Sequence, residues 1–186
     1  MKDNKNSKVY IMTSHTVRWG YVNVWNPTSI NGGPPVYSMT LIISKDDNYT
    51  MERVTNAIRE VYSSCPQKLL DSNGELTNIH SLKLPIRDGD KERPFDPAYK
   101  NSWFINATSK IPPLILDKDL NKITEHRQVY SGVYGQVRLE FYPFKPAIES
   151  NRKGIACCIK CLIKEKDGES LGTNQGLDSA IKDFSD

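Results

Sequence analysis

Long apolar runs are missing from this 186-residue sequence, and no window approaches the roughly 18 consecutive apolar residues of a membrane-spanning helix. The first ten residues, MKDNKNSKVY, lack the apolar core of a secretory signal. The expectation is therefore a cytoplasmic protein without a membrane partner. Histidine is scarce: His15, His80 and His126 stand isolated, with no glycine-rich phosphate loop, nucleophile elbow or Ser/His/Asp spacing around them. Catalysis has no positive support, and no cofactor is indicated. Cysteine is almost as sparse, at Cys65, Cys157, Cys158 and Cys161. CCIKC contains a C-x-x-C pair, but a zinc site needs two further ligands and no second pair is present. The surrounding GIACCIKCLIK alternates as a strand, with Ile155, Cys157, Ile159, Cys161 and Ile163 on one face. Cys158 and Cys161 then fall on opposite faces, and buried, reduced thiols are expected in place of a metal site.

What is present suits one soluble domain with a substantial core, at 38% hydrophobic and 25% charged residues. The charge is uneven. Residues 167–186 hold five acids against Lys182, a net −4, which leaves +7 on residues 1–166 of a chain whose total is +3. A basic body with an acidic end suggests a polyanionic partner; a frayed polar terminus without a role gives the same asymmetry.

Alternation predicts a first strand in KVYIMTSHTVRWGYVNVW, with Val9, Ile11, Thr13, His15 and Val17 sharing a face, ended by the breakers of NPTSINGGPP. VYSMTLIIS is a second strand. Met51, Val54, Ala57, Ile58, Val61 and Tyr62 then recur at helical spacing, with Thr50 or Asp47 as the cap and Pro66 beyond the end. Residues 66–101 read as loop, with SLKLP a short strand. WFINATSK, PLILD, the stretch 129–144 and Ile155–Ile163 complete the set, and a mobile stretch follows from Asp167. Five to six strands with one helix among them suggest a small closed barrel of the OB type. Gly132 and Gly135 suit a bend or bulge in its wall.

The longest strand has two distinct faces. In VYSGVYGQVRLEFYPF, Val129, Ser131, Val133, Gly135, Val137, Leu139 and Phe141 suit a core, while Tyr130, Gly132, Tyr134, Gln136, Arg138, Glu140 and Tyr142 face outward. Rings on a basic sheet accept unpaired bases and arginine holds phosphate; cross-strand packing accounts for the same tyrosines. Residues 84–110 interleave Arg87, Lys91, Arg93, Lys100 and Lys110 with Phe95, Tyr99, Trp103 and Phe104, a second surface able to track a strand. The same segment holds Asp88, Asp90, Glu92 and Asp96. These read as the Mg²⁺ cluster of a nuclease or as a solvated turn pivoting on Gly89, and the base near each acid favours the turn.

LKLPIRDGDKERPFDPAYKNSWFINATSK, LDKDLNKITE, VYSGVYGQVRLEFYPF, NRKGIACCIKCLIKEKDGESLG and AIKDFSD, in that order, resemble a family of bacteriophage single-stranded-DNA-binding proteins with an OB-fold. The likeness runs from about Lys8 to the C-terminus. It implies an OB-fold domain over 1–166 and a flexible acidic tail over 167–186. It also implies a non-catalytic protein of phage DNA replication and recombination that coats unpaired DNA in the host cytoplasm. In that frame Tyr130, Tyr134, Tyr142 and either Trp103 or Phe104 stack on bases, and Arg138, Lys110, Arg87 and Arg93 contact phosphates, all in one groove. Asp183, Phe184 and Asp186 are similar to the acidic, Phe-bearing C-termini with which such proteins compete for their own groove and recruit partner enzymes. Here, however, the acidic run is thin, contains Lys182, and does not end on the phenylalanine. A homodimer is compatible with this reading. The alternatives are a metal-dependent nuclease built on Asp88 and Asp90, and a structural phage protein that binds no nucleic acid.

Overall fold

The computed structural model describes residues 8–30, 32–64, 66–146 and 152–171. Cys65 and the tail residues Asp183, Phe184 and Asp186 lie outside them. The elements are β1 (Val9–Met12), β2 (Arg18–Thr28), β3 (Val36–Ser44), α1 (Asn48–Ser64), β4 (Ile86–Asp88), α2 (Gly89–Glu92), β5 (Ser102–Ser109), β6 (Leu114–Leu116), β7 (Tyr134–Phe144) and β8 (Gly154–Lys166). Eight strands exceed the five to six expected, because the expected first strand divides into β1 and β2 and because β4, at three residues, is too short to show a period. SLKLP is not a strand: residues 79–81 form a 3-10 turn, and the strand of this region is β4, just after it.

β1 and β2 are the expected first strand, interrupted. Both lie antiparallel along one edge of β7, Val9 opposite Phe141 and Arg18 opposite Tyr134. Thr13 pairs with Val137, donating its N–H at 3.1 Å and accepting at Oγ1 at 2.9 Å, and Val17 accepts from Gly135 at 3.0 Å. Four residues of chain are thus spent on two of β7, and the surplus forms the turn that leaves His15 exposed. β2 also runs through Pro27 to Thr28, into the expected loop.

Pairing proceeds β7–β2–β3–β5–β8 and returns to β7, a ring in which only the β5–β8 pair is parallel. Inside it lie Trp19, Met39, Leu41, Ile43, Ile105, Val137, Leu139, Phe141, Ile155 and Ile159, each contributing about 1.5–3 kcal/mol by leaving water. α1 covers the ring near β1, β7 and β8 with Val54, Ala57, Ile58 and Val61. Its cap is Asp47, whose Oδ1 accepts from Thr50 N at 3.0 Å. The Thr50 hydroxyl accepts instead from Ser14 N at 2.9 Å, tying the helix to the 13–17 turn.

β8 corrects the reading of the cysteines. Arg138 faces Cys161 and Leu139 faces Ile159, so Lys160 is an extra residue and the inward series changes parity there. Ile155, Cys157, Ile159 and then Leu162 are buried, whereas Cys158 and Cys161 both line up with outward residues of β7, Glu140 and Arg138. The two thiols share the outer face, and among the described cysteines Cys157 alone is fully buried, with its pKa pushed far up by that burial.

Candidate nucleic-acid interface

The outer face of β3 and β5 carries Ser38, Thr40 and Ile42 beside Thr108, Asn106 and Phe104. Thr40 Oγ1 donates to Asn106 Oδ1 at 2.8 Å. Phe104 is 1% exposed, sealed under Ile42 and under Tyr99, whose ring meets it edge-on at 5.1 Å, with Leu171 packed alongside. It cannot stack on a base, which corrects that half of the Trp103-or-Phe104 expectation. Trp103 points the other way and packs against the core, half-buried, with the Lys45 ammonium 4.8 Å from its ring. Arg87 lies 4.7 Å from the Phe104 ring and pairs with Glu92; Arg93 lies 5.9 Å from the Tyr99 ring. Burial pushes the Tyr99 phenol up to about 12.

At this end of β5 a cavity of about 370 Å³ is lined by Arg18, Gly20, Tyr21, residues 96–99, Ser131 and residues 169–171. The first five residues of the stretch expected to be mobile are docked here. Tyr130 donates its hydroxyl to Gly168 O at 2.9 Å and to Asp167 Oδ1 at 3.3 Å. Arg18 Nη2 donates to Glu169 O at 2.7 Å, and Leu171 N to Ser131 O at 2.8 Å. Gly132, at φ 125°, turns the chain into β7, and a Cβ there would collide with the Glu169 carbonyl. Tyr134 stands beside this segment with Arg18 5.5 Å and Lys166 4.9 Å from its ring. Phe95, on the turn leading to Asp96, is 96% exposed.

The other end of β5 opens into a cavity of about 500 Å³ lined by Lys8, Lys68, Lys110 and Lys160, with Thr108, Tyr142, Cys158 and one acid, Glu140, among its other walls. The β8 bulge delivers Lys160 to this spot. Glu140 is buried and pairs with Lys160 at 2.5 Å and Lys8 at 3.4 Å. Burial pushes its carboxyl up, but the two ammonium groups outweigh burial and hold it below the ordinary 4.5. Burial also raises the Tyr142 phenol. Between the two cavities on β7, Arg138 is exposed, 5.1 Å from the Tyr10 ring.

Most of the expected site residues therefore lie toward one or the other of two cavities, while Arg138 and Trp103 line neither. Tyr130 and Tyr134 stand beside the docked segment whose residues 169–171 wall the smaller cavity, Tyr130 bonded to Asp167 and Gly168 and Tyr134 under Arg18, while Arg87 and Arg93 lie on the Phe104–Tyr99 cluster. Tyr142 and Lys110 line the larger. Arg18, Tyr21, Lys8, Lys68 and Lys160 join them from elements far apart in sequence, and no local pattern marks them.

The acidic cluster is engaged internally. Lys45 Nζ reaches Asp88 at 2.8 Å and Asp90 at 2.6 Å, and these bonds hold both carboxyls below 3.8. Asp90 also accepts from Asn101 N at 2.9 Å, Asp96 from Ala98 N at 3.0 Å, and Glu92 takes Arg87. Among the described residues no three His, Cys, Asp or Glu side chains converge as a metal-binding group. No helix among them is long and apolar enough to cross a membrane.

The model of the family described as Enterobacter phage Enc34, ssDNA-binding protein, matches residues 9–186. Solved structures share the fold. The single-stranded DNA-binding protein from bacteriophage Enc34 in complex with ssDNA is 24% identical at TM-score 0.67, over 90% of this chain and 91% of that one. Its C-terminal truncation is 23% identical at TM-score 0.65, over 90% of each chain. The single-stranded DNA binding protein gp2.5 of bacteriophage T7 is 12% identical at TM-score 0.60, over 93% of this chain and 94% of that one. No curated protein matches the sequence.

Proposed function

The chain belongs to the family of the Enterobacter phage Enc34 ssDNA-binding protein, and on that premise we propose that it binds single-stranded DNA without sequence preference, as a non-catalytic protein of phage DNA replication and recombination in the host cytoplasm. The observation that carries the reading is the outer face of β3 and β5, a polar strip with an aromatic-arginine cavity at one end and a four-lysine cavity at the other. The ring supports an OB-type barrel. Taking β2, β3, β5, β7 and β8 as strands one to five, the pairings run 1-2-3-5-4-1 with the 3–5 pair parallel, the closure of that Greek-key barrel. In such barrels the face of strands two and three binds oligonucleotides, and those strands are β3 and β5.

In this reading the lysine cavity, with Lys110 and Tyr142, takes phosphate and sugar. Tyr130, Tyr134, Arg18, Arg87 and Arg93 serve the other end, Arg138 flanks the path, and Trp103 braces β5. Docked residues 169–171 wall the smaller cavity and the Glu169 carbonyl holds Arg18, so DNA and this segment compete for Arg18. The tail with Asp183, Phe184 and Asp186 is the candidate contact for replication or recombination enzymes. The test is a titration of single- and double-stranded oligonucleotides in parallel at several salt concentrations. Tight, sequence-indifferent, salt-dependent retention of the single strand is expected; no retention even at low salt refutes the reading.

A further inference from the structure

Tyr21 occupies a backbone position that tyrosine seldom takes. Its φ is 45°, in the left-handed region, which costs an L-residue with a bulky side chain stability that glycine would not lose. It sits where β2 breaks register with β3: Gly20 faces Thr40 and Asn23 faces Ser38, so β2 spends three residues on two. The residue is 57% exposed and lines the smaller cavity, with residues 96–99 among its other walls. Among the described residues its ring stacks on no neighbour and its hydroxyl makes no hydrogen bond. Packing therefore gives no reason to keep a large ring in a strained bulge. Strain held at a cavity rim, with the side chain left open, is the pattern of a residue positioned for a ligand.

We propose that Tyr21 is a base-stacking residue. The bulge aims its ring over the cavity, where an unpaired nucleobase lies between it and the wall formed by residues 97–99, and Arg18 beside it meets the adjoining phosphate. This inference rests on the single-stranded-DNA reading above and adds a stacking residue that the sequence pattern did not single out.

The test uses the full chain and a fluorescein-labelled oligo-dT followed by anisotropy across a salt series, with a thermal melt of each variant. Tyr21→Phe keeps the ring and binds within about twofold of wild type. Tyr21→Ala and Tyr21→Gly bind about 5- to 150-fold more weakly with an unchanged salt slope, since a stack is lost and no phosphate contact with it. Tyr21→Gly also melts about 2–4 °C higher, because glycine relieves the left-handed strain. Wild-type affinity in Tyr21→Ala and Tyr21→Gly overturns the inference. So does a Tyr21→Gly variant that binds weakly and melts lower, which would assign the loss to the fold. A wild-type chain that retains no oligo-dT fails the underlying reading instead, and the two failures are told apart by that control.

Discussion

Replacing Lys68 and Lys110 with glutamine isolates the electrostatic share of binding. Of the four lysines in the larger cavity, Lys8 and Lys160 are committed to Glu140, while Lys68 and Lys110 make no ion pair among the described residues. Both are exposed, so their removal leaves the core and the Glu140 pair intact. Each phosphate neutralised on a single strand contributes about −0.7 to the slope of log K against log salt, and two contacts about −1.4. If the lost term vanishes near 1 M salt, the deficit one decade lower, at 0.1 M, is about 10 to the power 1.4, or 25-fold. The Lys68→Gln/Lys110→Gln chain is thus expected to bind oligo-dT about 25-fold more weakly at 0.1 M salt and to converge on wild type near 1 M, with an unchanged melting temperature. The assay is anisotropy over that salt range. A double variant with the wild-type slope would show that no phosphate lies in the cavity, and the path along β3 and β5 would have to end before it.

Glu140→Gln should cost about 1–3 kcal/mol of stability at pH 7, by leaving Lys160 without its buried partner. Because the folded-state pKa of Glu140 is depressed, its contribution is present above 4.5 and lost as pH falls through the lower folded value. Denaturant melts of wild type and variant should therefore converge on acidification, and a gap that persists at low pH would rule the ion pair out as its source. A chain ending at Lys166 frees Arg18 from Glu169 and sheds the net −4 of the acidic end. Its affinity for oligo-dT should rise by about 3- to 10-fold at low salt, with the gain fading as salt screens it, and unchanged affinity would show that residues 167–171 do not compete with DNA.

Alternation located the ring's long strands because each has one face in the core, and burial on one face is what a period of two records. Met39, Leu41 and Ile43 on β3, and Val137, Leu139 and Phe141 on β7, are buried as that pattern requires. The helix was legible for the same reason at its own period. The departures have a common cause in bulges and very short strands. Lys160 is a surplus residue in β8, and the residues from Cys161 to Lys164 reverse face, so Cys161 and Ile163 fall on the other side from Ile155, Cys157 and Ile159; a second surplus, Glu165, follows near the strand's end. Nothing in the letters CCIKCLIK marks the surplus, because both registers put apolar residues inward. β4 was hidden because three residues beside a turn carry no period, and its pairing with Trp103–Ile105 is a long-range choice.

The site was less legible than the fold, for a physical reason that also explains its form. A strand's outer face is specified weakly by pattern, since tyrosine and arginine serve cross-strand packing and ligand contact equally well. Tyr130 and Tyr134 are half-buried and already engaged, Tyr130 by hydrogen bonds to Asp167 and Gly168 and Tyr134 by the cations of Arg18 and Lys166, contacts that fit either role. What separates contact from packing is the cost the fold bears at a position. Phe104, read as a candidate ring, costs nothing where it is, sealed under Tyr99 and Ile42 in an ordinary apolar cluster. Tyr21 and the lysines around Glu140 carry a cost, the one in backbone strain and the others in gathering four cations about a single acid. A sequence records neither cost, because strain is a property of φ and repulsion a property of distance. A polyanion carrying bases would offset both at once, with phosphate relieving the repulsion and stacking rewarding the strain. That coupling separates this binding reading from a purely structural role. If the two costs serve one ligand, removing the lysines should change only the salt slope and removing the Tyr21 ring only the salt-independent affinity. A double-mutant cycle between Lys110 and Tyr21 should then be close to additive.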